Sequence, residues 1–319
     1  MGRIVIELTD RCNLRCGHCI DARHGGRGEL PVRLIERLLV EAKGLGFAEL
    51  AFTGGEPTLH RQFFDILGRA AAGGYRFGFV TNGWAFPRLY ARLLPHRTAL
   101  TAITFSLDGA SEATHDALRG DGSYRRVLQA MSVCVATGLP FTLNMVVTRH
   151  NRGELADLVA LGAALGARGV RFGPLMPGGD PALELSAAER RDAQAAIEAL
   201  QGQANIPVAL APGYETTELR PCAPLHLEEL NIDWRGNVTP CCHLSGYGEA
   251  DRAGNLATDS LAAALGRLRE ANAHFLQEKE AHRAEADPAP CRFCLKYLHP
   301  AAAPVADLQP MALPGGGRC

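Results

Sequence analysis

No apolar run in this chain approaches the ~20 residues that a membrane helix needs. The opening stretch, Met1-Gly2-Arg3-Ile4-Val5-Ile6-Glu7-Leu8, is too short and too acidic for a secretory signal. An excess of one charge is missing as well. The 33 Lys and Arg stand against 34 Asp and Glu, which leaves no electrostatic footprint for nucleic acid or an anionic membrane. No internal repeat occurs beyond a strand–helix alternation. These absences predict a cytoplasmic protein with no membrane and no nucleic-acid partner. Thiols stay reduced in that compartment, so the 10 cysteines read as metal ligands or reactive groups before disulfides. With 319 residues, 47% of them hydrophobic, the chain can bury a large core and carry an appendage.

What is present is a regular alternation. Short β-branched runs at 4–8, 49–53, 77–81, 103–107, 141–147 and 170–172 read as strands. Helical patterns lie between them at 31–43, 62–72, 88–94, 124–136 and 154–165. In the first, Leu34, Ile35, Leu38, Leu39 and Ala42 share one face behind Pro31. Six strands alternating with helices imply a parallel sheet with right-handed crossovers, either doubly wound or barrel-like. The texture changes after Pro174. Pro177-Gly178-Gly179 is a linker signal, 187–200 a polar-faced helix, and 226–240 a hairpin turning on Gly236. A boundary at 177/178 divides a core, 1–177, from an appendage, 178–298. The Pro-, Ala- and Gly-rich 299–319 reads as a tail.

Cys12-Asn13-Leu14-Arg15-Cys16-Gly17-His18-Cys19 follows the first strand, where loops converge over a parallel sheet. Three thiolates on one loop can hold three irons of a [4Fe–4S] cube and leave the fourth open. The residues alone also allow a zinc ion completed by His18 or His24. After the second strand, Thr53-Gly54-Gly55-Glu56-Pro57 offers two glycines that admit close backbone approach, and a carboxylate that can pair with an ammonium.

Together these strings resemble the radical S-adenosylmethionine (SAM) superfamily, whose signature is a C-x₃-C-x₂-C loop after the first strand of a (β/α)₆ chain. The resemblance implies an α/β fold, a partial (β/α)₆ TIM-like barrel. It also implies a [4Fe–4S] cluster on Cys12, Cys16 and Cys19 that binds SAM through its unique iron. Gly54, Gly55, Glu56 and Pro57 match the family's motif for the SAM amino group. Asn82 after the third strand, and Ser106 and Asp108 after the fourth, match positions that face the ribose and methionine carboxylate. Asn144 and Arg119 are further cofactor-binding candidates on the same ground. The residue before the third cysteine is usually aromatic in that family; here it is His18, which can still stack.

Cys222, Gly236 and Cys241 bracket the hairpin, and Cys291-Arg292-Phe293-Cys294 follows a helical pattern at 260–269. Four thiolates saturate a [4Fe–4S] cluster or a zinc ion. The set resembles the "twitch" appendage, a shortened relative of the SPASM domain. The middle cysteine group of a full SPASM domain is missing, so the resemblance implies a small α+β C-terminal domain with one auxiliary [4Fe–4S] cluster. Cys242 is a substitute for Cys241, Cys319 a stray ligand or tail residue, and Cys134 an apolar filler.

A second, closed cluster can relay an electron. The expectation is therefore an oxidative radical reaction on a peptide or a small polar metabolite, with a reductant such as flavodoxin or ferredoxin. Peptide-modifying members often carry an N-terminal leader-binding domain. The first strand here starts at Ile4, which weighs against a peptide unless a separate binding protein serves. The alternative is a non-catalytic iron–sulfur or zinc scaffold. Tyr214, His243, Lys296 and Tyr297 fall near the second cysteine set, and no general base is assigned among them.

Overall fold

The computed structural model describes residues 2–19, 28–176, 180–243, 253–281 and 289–298. Strands β1 (Arg3–Thr9), β2 (Glu49–Gly54), β3 (Arg76–Thr81), β4 (Leu100–Ser106), β5 (Phe141–Val147) and β6 (Val170–Pro174) lie side by side, each parallel to the next. The connections carry α1 (Val32–Gly44), α2 (Phe63–Ala72), α3 (Phe86–Leu93), α4 (Glu112–Arg119), α5 (Ser123–Thr137) and α6 (Leu155–Ala164). This is the expected partial barrel of α/β type.

The alternation of β5 shows why the sheet has two faces. Phe141, Leu143, Met145 and Val147 are buried, and Thr142, Asn144 and Val146 between them are half-buried. A β-carbon on Gly162 of α6 would stand 3.1 Å from the Leu143 side chain, so the buried set faces the helices. Asn144 therefore points to the opposite, inner face. Phe52, Phe77, Phe79 and Phe105 fill the helix-side core, each contributing about 1.5–3 kcal/mol through burial. Helix α5 ends on Gly138 in the left-handed conformation, φ 68°, which only glycine adopts without strain. Cys134 on that helix is fully buried in the core, the filler expected.

Two elements in this part of the chain depart from the sequence expectation. Helix α4 was not foreseen, because its eight residues carry little apolar pattern. It is held instead by its Ser111 N-cap, and Glu154 accepts hydrogen bonds from Ser111 Oγ (2.9 Å) and Thr114 Oγ1 (2.5 Å). A seventh strand, β7 (Val208–Leu210), pairs parallel with β6; three residues are too few to show alternation. Before it runs α7 (Ala187–Gln203), opened by a Ser186/Glu189 capping box.

The hairpin forms as β8 (Glu229–Ile232) and β9 (Val238–Thr239), antiparallel to each other. It does not stand apart. β8 pairs parallel with β1, Arg3 opposite Glu229, so nine strands make one sheet in the order β7-β6-β5-β4-β3-β2-β1-β8-β9. Helices α8 (Leu261–Ala281) and α9 (Pro290–Leu298) complete the C-terminal part. Cys291 and Cys294 lie on α9 rather than in the expected loop, and a spacing of three puts both on one helix face. The expected boundary at 177/178, the tail 299–319, His24 and Cys319 fall outside the described residues. Among those described, no helix is long and apolar enough to cross a membrane.

Candidate functional site

The first cysteine loop leaves the C-terminal end of β1 and is stitched to the end of β2. Gly55 N–H donates to the Thr9 carbonyl and Glu56 N–H to the Arg11 carbonyl, both at 2.7 Å. The fit excludes side chains. A β-carbon on Gly54, whose φ is +128°, would stand 2.3 Å from the Thr9 oxygen, and one on Gly55 2.3 Å from the Arg11 oxygen.

Glu56, 2% exposed, is thereby delivered beneath the loop. Its Oε1 accepts hydrogen bonds from Thr58 Oγ1 (2.6 Å), Thr81 Oγ1 (2.8 Å) and Thr58 N–H (3.3 Å), and its Oε2 from Asn82 N–H (2.8 Å). All of these donors are neutral. Burial raises its pKa and the hydrogen bonds oppose that. A buried carboxylate held by neutral dipoles is a receptor for an ammonium group. Pro57, itself buried, opens the short 3₁₀ turn behind it.

Polar side chains surround the three thiols. Cys12 Sγ accepts from Leu14 N–H (3.4 Å) and Asn82 Nδ2 (3.9 Å), and Cys16 Sγ from Arg119 Nη1 (3.8 Å). Asn82 Nδ2 also reaches Asn13 Oδ1 at 3.0 Å, which ties the end of β3 to the loop. The Cys12 thiol is pushed up to about 11, first by desolvation, then by Glu56, Cys16 and Cys19 nearby. Burial raises Cys16 as well, so these two thiols do not ionise together without a cation beside them.

Asp108, completely buried, anchors the far side. Its Oδ2 accepts from Arg119 Nε at 2.5 Å and lies 3.2 Å from His18 Nε2, while its Oδ1 accepts from Val146 N–H at 2.9 Å. Burial alone would raise its pKa; Arg119, His18 and the Val146 N–H bring it below the usual carboxylate range. Asp108 is thus occupied within the chain and acts on the site through Arg119 and His18. Desolvation holds His18 below its ordinary value, and its buried Nδ1 has no hydrogen-bond partner among the described residues. His18 thereby adjoins the Asp108–Arg119 ion pair. Ser106 and Asn144 stand opposite each other in the β4–β5 register, half-buried on the inner face.

The second set assembles from three distant segments, at Cys222, at Cys241–Cys242 and on α9. The thiols of Cys222, Cys242 and Cys291 influence one another, and Cys294 joins through Cys222 and Cys291. Burial raises Cys291 and Cys294, the latter to about 12. Cys291 Sγ lies 3.9 Å from His243 Nδ1, and the Lys279 ammonium faces Cys222, Cys291 and Cys294 from a buried position on α8. Cys241 hydrogen-bonds the Cys242 thiol. The sequence had singled out Cys241; the fold also brings its neighbour to the set.

Among the described residues no three Cys, His, Asp or Glu side chains gather about a single point as one ion requires. A cube receives one thiolate per iron, so its ligands are spread. The residues fit such groups on three observations. Thiols whose ionisation is suppressed ring each position. Hydrogen-bond donors reach the sulfurs of Cys12 and Cys16. The glycine pair presses a neutral-donor carboxylate against the loop, and among the described residues His18 Nδ1 and Asp10 Oδ2 have no partner.

Comparison with known proteins agrees with this geometry. Residues 6–162 match the Radical SAM superfamily and residues 222–295 the SPASM iron–sulfur cluster-binding domain. The mycofactocin maturase MftC of Mycobacterium ulcerans is 36% identical over 177 residues, 54% of this chain and 47% of that protein. A PqqA peptide cyclase of Methylorubrum extorquens is 29% identical over 257 residues, 75% of this chain and 65% of that one. The chain thus spans about half the length of MftC. Streptococcus suis SuiB, solved with its precursor peptide SuiA, superposes with a TM-score of 0.69 over 81% of this chain and 63% of that one. At 18% identity that likeness is one of fold.

Proposed function

We propose, for a chain that belongs to the radical SAM superfamily and carries an SPASM iron–sulfur cluster-binding domain, an oxidative modification of a precursor peptide. When bound, the cluster and SAM supply a 5′-deoxyadenosyl radical that takes a hydrogen atom from the substrate. The chain's own residues provide the rest. Cys12, Cys16 and Cys19 would hold the cluster. Glu56 and the Gly54–Gly55 backbone receive the amino group of SAM, with Pro57 fixing the turn. Ser106 and Asn144 line the inner face toward the nucleoside. Arg119, its charge balanced by Asp108, holds the Cys16 sulfur and presents a guanidinium toward the methionine carboxylate; Asn82 holds the Cys12 sulfur.

Cys222, Cys291 and Cys294, with Cys241 or Cys242, would hold one auxiliary [4Fe–4S] cluster, and a flavodoxin or ferredoxin would deliver electrons. The functional division follows the cysteine sets, 1–177 for the core and 178–298 for the auxiliary domain. The relatives' names support a peptide substrate: one is a maturase, another a peptide cyclase, and SuiB was solved with a precursor peptide. The observation carrying the proposal is the clamp of Gly54 and Gly55 on the cysteine loop, which has no use in a simple electron carrier.

The test is anaerobic reconstitution, iron analysis, and reduction with dithionite in the presence of SAM. 5′-Deoxyadenosine is expected. If none forms while both clusters are intact, the enzymatic reading fails. A candidate precursor peptide should then yield a product lighter by two hydrogen atoms.

A further inference from the structure

The loop that carries Cys12, Cys16 and Cys19 is fastened at its base. Gly28, beyond Cys19 in the chain, donates its N–H to Asp10 Oδ1 at 2.6 Å, and its carbonyl accepts from Thr9 Oγ1 at 2.5 Å. Leu30 N–H donates to the Leu8 carbonyl at 2.9 Å. Thr9 and Glu29 form an antiparallel bridge, and Glu29 is ion-paired with Arg11, the residue before Cys12. Chain entering the loop is thus tied to chain leaving it. Pinning the ends of a loop removes much of its conformational freedom, so whatever holds this base also holds the thiols in place.

The base is covered from a distant part of the chain. A β-carbon on Gly28 would stand 1.9 Å from Cζ3, 2.2 Å from Cε3 and 2.8 Å from Cη2 of Trp234. The six-membered ring of the indole therefore lies directly on the glycine, in the space a side chain would take. Trp234 stands in the turn between β8 and β9, within the stretch that matches the SPASM domain. That turn is held from several sides. Asp233 Oδ1 accepts from Arg235 N–H (2.9 Å) and Asn237 N–H (2.8 Å), and its Oδ2 from Asn237 Nδ2 (2.8 Å). Asn255 Nδ2 donates to Asn237 Oδ1 at 2.6 Å and to the Arg235 carbonyl at 3.2 Å. The Arg235 guanidinium stacks over the indole, 4.6 Å from the ring centroid. Beneath the turn, β8 pairs with β1, the strand from which the cysteine loop departs.

We infer that Trp234 is a positioning residue for the first cluster: the C-terminal hairpin holds down the base of the cysteine loop through Gly28. The two iron–sulfur regions are then not independent modules, because the fold around the second conditions SAM binding at the first. The inference rests on the reading of the first site as one that holds a cluster with SAM. The contact itself is measurable without either.

The experiment compares the reconstituted wild-type holoprotein with Trp234→Ala and Trp234→Phe. SAM is titrated against the electron paramagnetic resonance signal of the first cluster. Affinity is expected to weaken about tenfold in Trp234→Ala, the scale for loss of a group that supports metal ligands. Trp234→Phe, which restores a six-membered ring, should recover most of it, and the auxiliary signal should persist in both. In the full chain before reconstitution, the Gly28 and Leu30 amides of Trp234→Ala should exchange with deuterium about tenfold faster than in wild type. Wild-type SAM affinity in Trp234→Ala overturns the inference. So does loss of both cluster signals together in that variant, which would make the ring a general packing residue. If the wild-type holoprotein binds no SAM, the reading of the first site fails instead. The exchange rates then decide alone, and unchanged rates overturn the role of Trp234.

Discussion

Gly55 lies so close to Arg11 that a β-carbon would stand 2.3 Å from the Arg11 carbonyl oxygen. The end of β2 and the first cysteine loop are in effect one object, and the contact tolerates no side chain. Gly55→Ala must therefore move backbone, not merely a flexible side chain. Overpacking of this kind costs about 1–3 kcal/mol, to be read by urea denaturation. The sharper readout is iron: the variant should lose the SAM-responsive electron paramagnetic resonance signal while keeping the auxiliary one.

Asp108→Asn leaves the buried Arg119 without its counter-ion. Breaking a buried pair from one side costs about 3–5 kcal/mol, so a large drop in the denaturation midpoint is expected. Asp108 has a depressed folded pKa, so its contribution is present above the unfolded value of about 3.9 and is lost as pH falls through the lower folded value. The wild-type protein should accordingly show an acid limb below about pH 4 that the variant lacks.

His115 titrates in a different window. Desolvation first, and Arg119 next, bring it from 6.5 to about 4. Between these values the unfolded chain binds a proton that the folded chain refuses, so stability is full above 6.5 and falls as pH drops towards 4. Melting temperatures measured across that range should decline. In His115→Asn the decline should be shallower, although the variant also loses the bond from Asp108 N–H to His115 Nδ1 (3.1 Å).

The second cysteine set gives a comparison between neighbours. Cys291→Ala with Cys294→Ala should remove about half of the iron, as expected for one of two [4Fe–4S] clusters. Because Cys242 shares the electrostatic environment of Cys222 and Cys291, Cys242→Ala should approach that loss, while Cys241→Ala retains more iron. Equal retention in both single variants would mean that either thiol serves.

Much of this molecule was legible locally. A short β-branched run located β5 to the residue, Pro31 and the apolar stripe from Leu34 to Ala42 located α1, and the spacing of Cys12, Cys16 and Cys19 announced the first site. Such features need only a few consecutive residues, because period and spacing encode which atoms share a face or a loop. What the tertiary structure decided depends on partners far along the chain. Glu229 finds Arg3 because β8 completes the sheet beside β1, Asp108 is claimed by Arg119 and His18, and Cys242 meets Cys291. The buried hydroxyl of Tyr214, without a hydrogen-bond partner among the described residues, belongs with these. Which polar groups are satisfied and which are left open is settled by the burial of the whole fold, and a local pattern carries no record of it.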